Sequence, residues 1–206
     1  MSRWEPGAAE RLRAAALDLF VEHGFAAVTV PQITARAGLT TRTFFRHFAD
    51  KREVLFAHEA ALPGLMTRFF ADAPPGLTPM EVIVEGLCTL VAPRFDGLKD
   101  SLRVRRQVVL SDEGLRERDL RKRALIAEAG VAGFRDRGLD ELSATLAAQL
   151  AATIIDTAAH RWLDDDTDRP MADVIRETAA ALTGVVTDQA GTALTGVVTD
   201  QAKAGA

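Results

Sequence analysis

The sequence predicts an all-α protein: an N-terminal three-helix helix-turn-helix head joined to a larger helical ligand-binding and dimerisation body, about nine helices in all. Three observations predict it. Apolar residues recur at helical spacing along most of the chain. Ala, Leu, Glu and Arg, all good helix formers, are abundant, and long β-branched runs are scarce. Gly, Pro, Thr and Asp punctuate the periodic stretches where helices would start and stop.

The elements follow in order. Leu12, Ala16, Leu19 and Phe20 share one face of a first helix, about Ala8–His23, closed by Gly24. Thr29 caps the second, Gln32 completes a capping box, and Pro31 falls in the first turn, where no N–H is missed. Ile33 and Ala37 give its buried face, and Gly38 ends it. Thr40 caps a third helix over Thr41–Phe48, and Asp50 caps a fourth carrying Val54 and Leu55. Pro63-Gly64 interrupts before Leu65–Phe70, and Ala73–Pro79 is a loop. Longer helices then run about Pro79–Phe95, Leu98–Leu110, Glu113–Arg135 and Asp140–Leu163, with Leu142, Leu146, Leu150, Ile154 and Ile155 as the core stripe of the last. A final helix spans about Met171 to Asp188. The tail repeats ALTGVVTDQA at Ala181–Ala190 and Ala193–Ala202. A twelve-residue shift turns a helix face by about 120°, so the second copy reads as a peripheral tandem duplication. The domains are therefore 1–56, 57–190 and a tail, 191–206.

Composition bounds the function. The 206 residues are 48% hydrophobic and 26% charged, as in soluble globular proteins. The single cysteine, Cys88, forms no internal disulfide and no multi-cysteine metal site. No signal-peptide core or membrane-span window is read in the sequence, so a cytoplasmic protein without membrane association is expected. Net charge is −4, yet from Phe25 to Arg52 five cations (Arg36, Arg42, Arg46, Lys51, Arg52) face only Asp50, a local +4. A basic head on an acidic body suits phosphate attraction through a local patch.

The two helices around Gly38 have helix-turn-helix spacing, in which the second enters the major groove. Phe44 and Phe48, four apart, face inward with Leu39. Thr41, Arg42, Phe45 and Arg46 share the opposite face. Arg reads guanine bidentately, and Thr and Phe touch the thymine methyl.

The stretch TVPQITARAGLTTRTFFRHFADKREVL resembles the DNA-binding head of the TetR family of transcriptional regulators, as does the upstream RAAALDLFVEHGFAAVTV. Thr29, Ile33, Ala37-Gly38, Phe44-Phe45, His47-Phe48, Lys51 and Leu55 carry the resemblance, which covers about the first 60 residues. It implies a homodimer on a palindromic double-stranded DNA operator, and repression relieved by a small-molecule effector. It places DNA contacts at Thr40, Thr41, Arg42 and Thr43, at Phe45, Arg46 and His47, at Lys51 on phosphate, and at Thr29 and Val30. Two features depart from the family pattern: Phe45 stands where Tyr is usual, removing a phosphate-bonding hydroxyl, and Pro31 and Gln32 replace residues that are often basic or polar.

For the body, Met66, Phe69, Phe70, Phe95 and Phe134 are candidate pocket walls, with Arg103, Arg106, Gln107, Asp156 and His160 as candidate polar groups. The RTFFRHF variant resembles a subset of actinobacterial regulators, some of whose relatives bind acyl-coenzyme A. The family pairs its last two long helices across a dimer, which makes Leu146, Leu150, Ile154, Val174, Ala181 and Val185 candidate seam residues. No cofactor, metal or catalytic residue is expected: the four histidines are scattered without metal spacing, and no phosphate loop or nucleophile elbow occurs. The alternative reading is a helical ligand-binding or interaction module with a degenerate head.

Overall fold

A computed structural model of the chain describes residues 7–56 and 61–201, with side chains described as far as Val186. Ten α-helices and no strand occur among the described residues. They are α1 (Ala8–His23), α2 (Val30–Arg36), α3 (Thr41–His47), α4 (Glu53–Phe56), α5 (Leu62–Asp72), α6 (Pro79–Gly86), α7 (Lys99–Ser111), α8 (Glu113–Asp136), α9 (Glu141–Asp164) and α10 (Met171–Gln201).

Side-chain caps set the helix starts. Asp50 Oδ1 accepts the amides of Arg52 and Glu53, Asp112 caps α8 and Asp140 caps α9. A second capping box, Thr78 with Glu81, starts α6 and was not singled out in the sequence. The predicted single helix over Pro79–Phe95 is instead three segments: α6, a π turn over Leu87–Val91 and a 3-10 turn over Ala92–Arg94. The hydroxyl of Thr89 donates to the Glu85 carbonyl, and Pro93 has no N–H to continue the ladder.

Helix α1 is the centre of the head. Leu12, Ala16 and Phe20 pack with Ile33, Phe44, Phe48 and Val54. Val108 and Val109 of α7 and Leu115 of α8 complete this core, so the head is seated on the body. Ion pairs reinforce the seat. Glu53 binds Arg118 at 2.5 Å and Lys122 at 2.9 Å. Arg105 donates to the Leu55 carbonyl at 2.7 Å and pairs with Asp119 at 3.0 Å. Asp119, a buried acid, also holds Arg123, which reaches Asp156 on α9.

In the body, α9 packs between α8 and α10. Of the stripe expected at its core, Ile154 is buried and Leu150 and Ile155 pack against the body core, but the two leucines at its start are corrected. Leu142 and Leu146 are 68% and 55% exposed, whereas Ala144, Ala147, Ala148, Ile154, Ala158 and Trp162 are buried. The reason is close approach: a Cβ on Gly130 of α8 would sit 3.3 Å from the Ala148 Cβ, which leaves no room for leucine. A further correction concerns length and apolarity. Helix α9 is long and apolar enough to cross a membrane by those two criteria, although no such window was read in the sequence. Helix α10 continues past Asp188 to Gln201, through the first repeat and into the second. The side chains of the second copy lie outside the described residues.

Candidate nucleic-acid interface

The turn between α2 and α3 depends on one backbone conformation. Gly38 has φ +64°, a left-handed geometry in which a Cβ is costly. Its N–H donates to the Ala35 carbonyl, and the Leu39 N–H to that of Thr34. Arg11 of α1 crosses behind the turn and donates to the Ala37 carbonyl at 2.5 Å.

Helix α3 is capped by Thr40, whose hydroxyl oxygen accepts the Thr43 amide at 3.1 Å and lies 3.0 Å from the Thr43 hydroxyl. Phe44 is fully buried and Phe48 nearly so, their centroids 5.4 Å apart. Thr41, Arg42, Phe45, Arg46 and His47 stand exposed on the other side. The Phe45 ring is 58% exposed and meets Phe44 edge-on at 5.4 Å. An exposed aromatic ring between two exposed guanidinium groups is a surface suited to base edges and phosphates. At α2, the Thr29 amide and hydroxyl both donate to Gln32 Oε1 at 2.8 Å, while Val30 is half-buried against the head core.

Two of the five cations counted in the head are engaged by other groups of the protein. Arg36 is held bidentately by Glu22 at 2.9 and 2.7 Å. That hydrogen bond raises the guanidinium pKa and lowers that of Glu22. Lys51, expected on phosphate, turns its ammonium toward the protein. Its ammonium donates to the carbonyls of Phe25 (2.7 Å), Ala26 (3.2 Å) and Val28 (2.8 Å). An ammonium has three hydrogens, so none remains for DNA in this arrangement. Burial, with neighbouring Arg52, holds its pKa below the usual lysine value. Arg36, Arg42, Arg46 and Arg52 are exposed, and of these Arg36 is paired with Glu22.

The family described as "Bacterial regulatory proteins, tetR family" matches residues 12–58. The chain carries a tetR-family head. Among curated proteins, the HTH-type transcriptional regulator TcmR of Streptomyces glaucescens is 35% identical over 68 residues, which are 33% of this chain and 30% of that protein. The chain thus matches about a third of the curated relative's length. The likeness of fold extends beyond the tetR-family head. A tetR-family regulator from Mesorhizobium loti superposes with a TM-score of 0.55 at 17% identity, covering 87% of this chain and 95% of that one. Thermus thermophilus FadR, a tetR-family repressor solved with lauroyl-CoA, gives 0.52 at 25% identity, covering 85% and 93%.

The candidate pocket residues fall into separate places instead of converging. Met66, Phe69, Phe70 and Phe134 gather where α5 meets α8, with Phe70 and Phe134 centroids 5.0 Å apart. Phe95 lies edge-on to Trp162. Arg103 donates to the Leu163 and Asp165 carbonyls and to Asp166, and Arg106 pairs with Asp164 at 2.6 Å. These two arginines fasten the loop after α9, and Gln107 is exposed. Asp156 pairs with Arg123, and His160 is half-exposed beside Asp156 on the outer face of α9.

The seam candidates divide too. Ile154 and Val174 are 0% and 2% exposed within the subunit, so they are core residues and the seam assignment is corrected. Ala181 is exposed and Leu150 half-buried. Leu142, expected in the core, Leu146, expected in core and seam, Val185, expected in the seam, and Val186 are each more than half exposed.

Proposed function

We propose that this protein is a transcriptional regulator that binds a palindromic operator as a homodimer and releases it when a small molecule enters its body. The α3 surface carries this reading: Arg42, Phe45 and Arg46 exposed together, backed by buried Phe44 and Phe48, in a tetR-family head. Its role is binding, not catalysis, and a cytoplasmic location accords with it. Exposed Leu142, Leu146, Val185 and Val186 on the last two helices supply an apolar surface for pairing. The cluster of Met66, Phe69, Phe70 and Phe134 offers an apolar lining for the effector. A relative at 25% identity was solved with lauroyl-CoA, which makes acyl thioesters the effector class to test first.

DNA selection from random fragments followed by salt titration of the selected site tests the reading. Specific binding should weaken steeply with salt, and Arg42→Ala with Arg46→Ala should cost about 1–3 kcal/mol per lost base contact. Failure to select any sequence rejects it. Long-chain acyl-CoA that leaves operator affinity unchanged rejects the acyl effector alone, and a stable monomer at micromolar concentration in sedimentation rejects the dimer.

A further inference from the structure

We infer that Lys51 is a positioning residue of the DNA-binding head, an internal clasp that closes the helix-turn-helix on itself. The inference rests on the DNA-binding reading only for its second test. The segment Phe25–Val28 joins α1 to α2. No main-chain N–H of the described residues bonds to the carbonyls of Phe25, Ala26 or Val28. All three point at one ammonium, that of Lys51. Orphaned carbonyls in a partly buried turn are costly, and a lysine, with three divergent donors, matches three convergent acceptors better than a planar guanidinium does. The same ammonium lies 4.4 Å from the Phe25 ring centroid, a cation–π contact. Phe25 and Val28 are themselves buried, so the turn is held by its side chains below and by Lys51 across its carbonyls.

The position of the clasp gives it its consequence. The turn ends at Thr29, the N-cap of α2, and Lys51 lies three residues beyond Phe48, where α3 ends. Lys51 therefore ties the residues after the recognition helix to those before its supporting helix. Arg11 fastens the turn between the two helices in the same manner, through the Ala37 carbonyl. The pair is held at its middle and at its two outer ends by cations that face inward. Lys51 acts on DNA through the placement of α3 and not through a phosphate contact.

Two measurements test this. The first needs no DNA: reductive methylation of the folded wild-type protein, read by mass spectrometry residue by residue. Lys51 should be modified slowly in the free protein, and to the same extent once DNA is added. Ready modification in the free protein with protection only by DNA overturns the clasp. The second uses Lys51→Met, which keeps the apolar stem and removes the donors. Operator affinity should fall several-fold with the slope of log K against log salt unchanged. A slope smaller by about 0.9, the signature of one lost phosphate contact, overturns the clasp, as does unchanged affinity. If the wild type selects no DNA, the DNA-binding reading fails while the methylation pattern still decides the clasp.

Discussion

The ring of Phe70 occupies the space that a side chain at Gly133 would need: a Cβ built on Gly133 would meet Phe70 Cδ2 at 2.1 Å. Phe69 fills a similar notch, 3.0 Å from a Cβ on Gly86, and Met66 lies 3.6 Å from one on Gly130. Three side chains of α5 thus seat in glycine notches on neighbouring helices. The proposed effector lining is closed by its own aromatic residues.

Gly133→Ala should therefore expel the Phe70 ring. Overpacking of a tight core costs about 1–3 kcal/mol, to be read as a lower midpoint in denaturant unfolding. Combining it with Phe70→Leu should recover part of that loss, because the shorter side chain vacates the notch. Equal losses in the single and double mutants would show that the two positions are not coupled.

The head was legible because its signals are local. Thr29 with Gln32, Pro31, Gly38, Thr40 and Asp50 each name a helix end, and Phe44 and Phe48 fix the buried face at four-residue spacing. The body was less so. Leu142 and Leu146 look like core by size, but the neighbouring helix approaches at glycine and alanine, so the buried face of α9 is the small one. Arg103 meets Asp100 at helical spacing, but its bond to Asp166 and that of Arg106 to Asp164 join residues some sixty positions apart, beyond any spacing rule. For Lys51, a count of charge carries no direction, and its ammonium points at the carbonyls of Phe25, Ala26 and Val28.

Gly38→Ala should weaken the head without touching any DNA-facing residue. The left-handed φ costs a non-glycine residue about 1–2 kcal/mol, and the new Cβ would stand 3.1 Å from Arg11 Nη2, crowding its bond to Ala37. Thermal unfolding should shift down accordingly, and operator binding should fall with it. An unchanged melting temperature would contradict the role given to this turn.

Phe45→Tyr adds a single hydroxyl to an exposed ring. On the proposed DNA surface that hydroxyl can bond a phosphate oxygen, a gain of about 0.5–1.5 kcal/mol. Operator affinity should rise by a few-fold with stability unchanged, whereas Phe45→Ala should lower affinity. Equal binding by wild type, Tyr and Ala variants would remove Phe45 from the interface.

Glu53 links head and body, and its charge can be titrated. Burial opposes its ionisation, but hydrogen bonds from Lys122 and Arg118 outweigh it and hold the carboxyl below its usual range. A depressed folded pKa adds stability that is complete above the unfolded value, about 4.3, and is lost as pH falls through the folded value. Glu53→Gln should therefore be less stable than wild type at pH 7. The difference should shrink below about pH 4.3 and vanish once the wild-type carboxyl is protonated. The partly exposed setting screens the pair, so the neutral-pH difference should be modest, on the order of 1 kcal/mol. Denaturant unfolding of both proteins across pH 3 to 7 measures it. A gap that stays constant over that range would mean the variant acts through packing and not through the charge that binds α4 to α8.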